Sequence, residues 1–128
     1  MTKEELFKLH EETCRVCLET VKKKNADYTG GADNPFANFL AGEVLGVEGE
    51  VGILLRSLDK FQRVKAFVEN GTLAVKSESV DDAIEDVINY MILLKGLIKY
   101  KTREPKYVQT EFPYKLYGAK QTEFPFTD

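Results

Sequence analysis

The segment from Glu78 to Lys99 constrains the fold most strongly, because its residue pattern suits one long helix. No proline interrupts the segment, and its apolar residues recur at the spacing of a helix that packs one side against a core. These apolar residues are Val80, Ala83, Ile84, Val87, Met91, Leu94 and Ile98. We therefore predict a helix over residues 78–99 around which the other helices pack.

A second line of residues runs along the same helix and carries acids. Glu78, Asp82, Asp86 and Asn89 follow one another at helical spacing, and the line then continues into Leu93. Acids at the end of such a buried seam repel one another and lose hydration, which a bound cation or neighbouring Lys and Arg residues would offset. Because Mg²⁺ binds carboxylate oxygens together with substrate phosphates, we predict Glu78, Asp82 and Asp86 as Mg²⁺ ligands and catalytic residues.

The acids also have a simpler interpretation. Acids in the first turn of a helix complement its dipole, and Ser77 or Ser79 can cap that turn. This interpretation leaves Asp86 and Asn89 unexplained, because both lie two to three turns inside the predicted helix.

Composition narrows the classes of function. The 128 residues suffice for one domain with one core, and a net charge of -3 argues against a protein that coats nucleic acid. The first residues are charged, and no apolar run approaches the length that spans a membrane. We therefore expect a cytoplasmic protein with neither signal peptide nor membrane anchor.

The first helix is predicted over residues 3–24, with Thr2 and Glu5 as its capping box. Cys14 and Cys17 lie on its apolar stripe, and no second cysteine pair or histidine cluster completes a zinc site. We interpret both as core cysteines, and His10 as a core or interface imidazole that does not act as a catalytic base.

Two more helices are expected after a loop, and a glycine is expected to end the later of the two. The loop is predicted over residues 22–35, the second helix over 36–45 and the third over about 50–69, with a break near residues 46–49 and Gly71 as the end of the third helix. The residues of the third helix predicted to face the core are Ile53, Leu54, Leu58, Phe61 and Val68.

Charged and polar residues on these segments suit a phosphate ligand. Arg56, Lys60 and Arg63 form a basic line on the third helix, where Asp59 can pair with Arg63. Such a line is usually a solvated face, but opposite the acidic line it could hold phosphates. The loop adds polar and stacking groups, although it could also be a plain helix connection. Its candidate ligand-binding residues are Lys24, Asp27, Tyr28 and Asn34.

From Arg103 onward the composition changes to Pro, Tyr, Phe and Thr, and QTEFPY at 109–114 recurs as QTEFPF at 121–126. We predict a helical domain over 1–104 and an extended tail over 105–128 that docks on the bundle or on a neighbouring subunit; the alternative is a disordered tail. Ile88 and Ile92 give the long helix a second apolar side. Together with the tail aromatics they predict a homo-oligomer, unless the tail covers them within its own chain.

Four segments in this order resemble a known family. KNADY, DNPFANF, LLRSLDKFQR and ESVDDAIEDVINYMILL, between Lys24 and Leu97, are similar to the phage-associated nucleotide-modification-associated domain family within the MazG-like all-α nucleotide pyrophosphohydrolases. The resemblance implies an all-α bundle of about four helices that binds a nucleotide. The residues that match its acidic, DKxxR and loop segments are Glu78, Asp82, Asp86, Asp59, Lys60, Arg63, Asp27, Asn34 and Asn38.

One departure from the pattern bears on catalysis. The pyrophosphohydrolases carry an ExxE pair on the earlier helix, whereas Glu43, Glu48 and Glu50 never stand three residues apart. The resemblance therefore implies nucleotide binding more directly than hydrolysis. Three functions stay open: a Mg²⁺-dependent pyrophosphohydrolase, a non-catalytic phage sponge that sequesters a host nucleotide-derived immune signal, and a structural helical module. The ligand-binding prediction also includes Arg56 and Asn89.

Overall fold

The computed structural model describes residues 1–29, 34–73 and 79–103, and describes side chains in all of these except residues 26–29. The predictions for Glu78 and for the tail over residues 105–128 lie outside the described residues. The side chains of Asp27 and Tyr28 lie outside them as well.

The described chain is all-α, which confirms the predicted bundle of about four helices. The helices are α1 (Lys3–Thr29), α2 (Ala37–Ala41), α3 (Gly49–Asn70) and α4 (Val80–Arg103), and a 3₁₀ turn (Gly42–Leu45) follows α2. Near the start of α3, Glu50 binds Lys101 near the end of α4, while Lys60 binds Asp86 further along. Helices α3 and α4 therefore form an antiparallel hairpin, on which α1 and α2 pack.

Local sequence signals explain most helix ends. The backbone N–H of Thr2 donates to Glu5 Oε2 (2.9 Å) and that of Glu5 to Thr2 Oγ1 (3.2 Å), which confirms the capping box of α1. Ser79 and Asp82 make the same reciprocal pair at the start of α4, at 3.0 and 3.3 Å. Gly71, with φ of 77°, ends α3 in the left-handed conformation as predicted.

The prediction of a loop over residues 22–35 is wrong in its first part. Helix α1 continues to Thr29, because no glycine or proline interrupts the sequence before Gly30. The predicted break near residues 46–49 is confirmed, since Gly46 adopts φ of 81° and separates the 3₁₀ turn from α3.

The core side of α3 differs from the prediction. Ile53 is fully buried and Ser57 and Glu50 are buried beside it, so this strip faces α4. The residues predicted to face inward along with Ile53 are between 46% and 77% exposed; they are Leu54, Leu58, Phe61 and Val68. The apolar stripe exists as the sequence indicates, but within one chain no described helix covers it.

The line of residues on α4 that begins with acids faces the bundle from Asp86 onward and includes Leu97 further along the helix. Leu97 on this line is fully buried and the Asp86 side chain is only 15% exposed, whereas Asp82 is exposed in the first turn. On the predicted apolar stripe Ala83 is buried, but Ile84 and Met91 remain about 40% exposed. The apolar stripes of α3 and α4 are therefore both partly exposed.

Helix α1 crosses α4 and is anchored there by a few contacts. Asn89 Nδ2 donates to the carbonyl oxygen of Cys17 (3.1 Å), and Cys17 Sγ contacts the carbonyl oxygen of Glu85 at 3.8 Å. Cys17 is a core cysteine as predicted. The same prediction is wrong for Cys14, and a core position is wrong for His10, because both are exposed on the part of α1 that extends past this crossing. Among the described helices, none combines the length and apolar character needed to cross a membrane.

Candidate functional site

A cavity of about 540 Å³ opens between α1, α2 and α4, with Arg56 of α3 at its side. Its volume falls within the range of about 300–1,000 Å³ that is usual for small-molecule sites. Apolar and aromatic side chains form most of the wall; they include Leu18, Val21, Phe36, Phe39, Tyr90, Ile88 and Leu93. The cavity is therefore suited to a ligand with a flat or apolar part.

Two phenylalanines of the α2 region shape one wall. The Phe36 ring stacks at a tilt against Tyr100, with 5.6 Å between ring centroids, and it approaches α4 closely at Gly96. A Cβ atom at Gly96 would lie 3.2 Å from Phe36 Cζ, so the absence of a side chain there lets the ring sit against the helix. The guanidinium carbon of Arg56 lies 5.2 Å from the centroid of the Phe39 ring, a cation–π contact at the side of the cavity.

Asp86 lies at the centre of an ion-pair network beside the cavity. Its Oδ1 accepts from Lys24 of α1 at 3.0 Å and its Oδ2 lies 3.2 Å from Lys60 of α3. Each carboxylate oxygen therefore has a lysine partner, and the pair of lysines ties α1 and α3 to α4. The partial burial of Asp86 reduces the screening of these ion pairs by water.

The cavity brings together four of the ten predicted ligand-binding residues. Those that line it are Lys24, Asn38, Arg56 and Asn89, together with the predicted metal ligand Asp86. Lys60 reaches this group only through Asp86. Arg63 is half-buried on α3 and does not line the cavity, and Asp59 is exposed on the same helix.

Two predicted polar residues have local structural contacts. Asn34 Oδ1 accepts from the backbone N–H of Phe36 at 2.9 Å and so fixes the chain before α2. Asp82 caps α4 together with Ser79, as the simpler interpretation of the acids expected. Of the three predicted Mg²⁺ ligands, Glu78 lies outside the described residues, Asp82 is in the cap and Asp86 is between two lysines. The two described acids therefore have separate contacts, and Mg²⁺ binding by the three acids stays a prediction.

The sequence reasoning missed a second charged group at the other end of the α3–α4 hairpin. Carboxylate oxygens of Glu43, Glu48 and Glu50 lie within 4.8 Å of one another, a spacing that could hold a metal ion. The ammonium group of Lys101 already lies among them, at 2.8 Å from Glu50 and 3.2 Å from Glu48, and also bonds Glu43. Lys101 therefore supplies the positive charge that these carboxylates require.

The pKa values of Lys101 and Glu43 reflect these contacts. Burial opposes the charge on Lys101, but its hydrogen bonds to Glu43 and Glu50 outweigh burial and raise its pKa above the ordinary value. Burial likewise opposes the charge on Glu43, yet the bonds from Lys101 and the Gly49 N–H hold the pKa of Glu43 below its ordinary value. Lys101 and Glu43 are therefore both ionised near neutral pH.

By contrast, the pKa shifts of two groups near the α1–α4 crossing disfavour the charged forms of those groups. Burial raises the pKa of the Cys17 thiol, and Glu85 adds to the shift. Burial also raises the pKa of Glu85, with further contributions from Asp82, Asp81 and Asp86. The acids of α4 thus repel one another at Glu85, while the lysines stabilise the charge on Asp86.

No family model matches this chain, and comparisons with curated proteins and with solved structures find no match.

Proposed function

We propose that this protein binds a nucleotide or a nucleotide-derived phosphate in the cavity between α1, α2 and α4. The observation that carries the proposal is that aromatic rings and cations line the same cavity: Arg56 stacks on Phe39, and Lys24 is a further cation in the lining. A guanidinium that stacks on a ring keeps its N–H donors in its own plane, where phosphate oxygens can accept from them. The rings offer surfaces on which a base can stack.

The amide groups of the cavity support the same assignment. Asn38 and Asn89 both line it. Asn38 can donate to or accept from the edge of a base, and Asn89, whose Nδ2 donates to Cys17, can accept through its Oδ1. The resemblance of four segments to the MazG-like proteins, and most closely to the phage-associated nucleotide-modification-associated domain family, is a second and independent reason to expect a nucleotide. As part of this proposal, the protein acts in the cytoplasm of a phage-infected cell.

Binding without hydrolysis is the form of the proposal that the geometry supports best. Asp86 is the one carboxylate among the described residues that line the cavity, and both of its oxygens have lysine partners. A Mg²⁺ ion there would have to displace at least one ammonium group. We therefore propose a sponge that sequesters a nucleotide-derived signal, with Mg²⁺-dependent pyrophosphate hydrolysis as the second candidate because of the family resemblance.

The decisive experiment is a thermal-shift screen of mononucleotides, nucleoside triphosphates and cyclic nucleotide signals, with and without Mg²⁺, followed by calorimetry on any hit. If the protein is a sponge, the nucleotide raises its melting temperature without Mg²⁺. Mass spectrometry should then show the nucleotide still intact after long incubation with the protein and the metal. Cleavage of the hit only when Mg²⁺ is present would favour the pyrophosphohydrolase. If no nucleotide binds, the proposal fails and a structural helical module remains.

Variants locate the binding site of a hit. Arg56→Ala removes the stacked guanidinium and is expected to weaken binding by about 1–3 kcal/mol, the usual loss for a charge-assisted contact. Lys65→Ala removes an exposed lysine of the same helix that pairs with Glu69 and does not line the cavity, so binding should stay at the wild-type level. Equal effects of the two changes would indicate that binding depends on the overall charge of the protein and that the nucleotide does not bind in the cavity.

A further inference from the structure

Three apolar side chains form an exposed patch at the 3₁₀ turn between α2 and α3. Val44 and Leu45 are 88% and 85% exposed, and Val47, directly after the turn, is 42% exposed. We call these three side chains the turn patch. The backbone beneath them is held in place, because the Gly46 N–H donates to the carbonyl oxygen of Glu43 at 3.0 Å. Neighbouring apolar side chains that stay in water often mark a contact surface.

The last turn of α4 lies beside the turn patch. The Lys101 ammonium bonds Glu43 and, at 3.2 Å, Glu48, and these two acids flank the patch on either side in the sequence. Helix α4 ends at Arg103, two residues after Lys101 and about 3 Å further along the helix axis. The chain beyond α4 therefore starts next to the turn patch.

We propose that the segment after Arg103 docks on the turn patch of its own chain and places Tyr107 and Val108 against it. The first argument is reach. The structure describes the chain as far as Arg103, and Tyr107 and Val108 are the first large apolar residues beyond it. An extended chain covers at most about 3.6 Å per residue, so the backbone of Tyr107 stays within roughly 14 Å of Arg103. The segment therefore reaches the patch without any change in the described helices.

The second argument is charge, which favours this segment over a second copy of the turn patch. Glu43 and Glu48 are both partly exposed at the edge of the patch, so two patches packed face to face would bring like charges together. The segment after α4 instead carries Lys106 directly before Tyr107. Docking of Tyr107 thus brings a cation toward a group in which three carboxylates share the one ammonium of Lys101.

Disulfide trapping in the full chain tests the contact. The parent variant is Cys14→Ser, in which the remaining Cys17 is protected because it is only 2% exposed. With Val44→Cys and Tyr107→Cys added, mild oxidation is expected to join the two positions within one chain, as mass spectrometry of peptides and a non-reducing gel would show. Leu54→Cys with Tyr107→Cys is the control, because Leu54 is an exposed leucine early in α3 and outside the patch. Its disulfide should form at least about tenfold more slowly, since the pair lacks the short separation that a disulfide requires.

A double-mutant cycle measures the same contact without new cysteines. Leu45→Ser and Tyr107→Ser should each raise the equilibrium constant of unfolding, as measured by urea denaturation followed by circular dichroism. If the side chains touch, the combined variant should unfold less readily than the product of the two single effects predicts, by about twofold or more. Leu54→Ser combined with Tyr107→Ser should give the simple product.

Three results would each overturn the proposal. A disulfide between Val44→Cys and Tyr107→Cys that joins two chains would assign the turn patch to a second copy. Faster trapping at Leu54→Cys than at Val44→Cys would place the segment against the exposed side of α3. Independent effects of Leu45→Ser and Tyr107→Ser would show that the segment after α4 contributes no contact to the patch.

Discussion

The ammonium nitrogen of Lys101 lies 2.8 Å from Glu50 Oε1, and the two side chains are 0% and 2% exposed. This contact joins the last turn of α4 to the first turn of α3 and closes one end of the hairpin. Glu43 and Glu48 complete the shell around the same ammonium. A buried charged group thus joins the two helices at one end of the hairpin, and the ion pair of Asp86 with Lys60 joins them again near the middle of α3.

Removing Lys101 should be more damaging than removing any exposed lysine. Lys101→Met keeps the volume of the side chain but takes the ammonium away from the buried Glu50 carboxylate, and breaking a buried ion pair typically costs about 3–5 kcal/mol. Chemical denaturation followed by circular dichroism measures the loss in free energy of unfolding. Lys95→Met, an exposed change on the same helix, serves as the control and should stay within about 0.5 kcal/mol of the wild type. Similar stabilities for the two variants would contradict a structural role for the Lys101 contacts.

The stability of the protein should fall in acid partly through Glu43. Its folded pKa lies below the ordinary value of 4.5, so its contribution is complete above pH 4.5 and is lost as the pH falls through the folded pKa. Glu43→Gln should therefore flatten the decrease in unfolding free energy below pH 4.5. Denaturation series between pH 7 and pH 3 measure this slope, and the exposed change Glu4→Gln provides the comparison. A Glu43→Gln slope as steep as that of wild type would show that other acids dominate.

Asp86→Asn tests whether attraction to the lysines or repulsion from the neighbouring acids has the larger effect on the free energy of unfolding. We expect the variant to lose about 1–3 kcal/mol of unfolding free energy, because its contacts to Lys24 and Lys60 are charge-assisted. Most of the loss should come from Lys60, since the Lys24 side chain is 43% exposed and water screens its pair. A double-mutant cycle with Lys60→Met isolates that pair. A rise in stability would instead indicate that repulsion from Asp81, Asp82 and Glu85 prevails.

Sequence periodicity predicted the helices and several of their ends, because caps and glycine stops are local signals. Capping at Thr2 and Ser79 and the stop at Gly71 each depend on residues at most a few positions apart. The same local logic placed Asp86 and Asn89 toward the interior. It failed at residues 22–29, where a polar sequence without glycine or proline continues as helix.

Non-local contacts explain what the sequence could not show. On α3 the stripe of Leu54, Leu58 and Phe61 is more apolar than the strip of Glu50, Ile53 and Ser57, so apolar periodicity alone selects the wrong side. Burial of Glu50 is tolerated because Lys101, 51 residues away, binds it. In the same way, the lysine partners of Asp86 come from two other helices. No spacing rule within one helix reveals such partners.

The two cysteines should report directly on the α1–α4 contact and on occupation of the cavity. Cys14 is exposed and Cys17 is only 2% exposed with a thiol pKa raised by burial, yet both line the cavity. Since the thiolate is the reactive form, iodoacetamide near neutral pH should modify Cys14 at least about tenfold faster than Cys17.

Mass spectrometry of peptides from timed reactions measures both rates, and Cys14→Ser confirms the assignment. A nucleotide bound in the cavity should slow the reaction at Cys14, because that thiol lies on the cavity wall, whereas a nucleotide bound elsewhere leaves the rate unchanged. Equal rates at the two thiols in the free protein would mean that α1 separates readily from α4, since only such opening exposes Cys17 to the reagent. The cavity would then form only part of the time, and a bound ligand should protect Cys17 as strongly as Cys14.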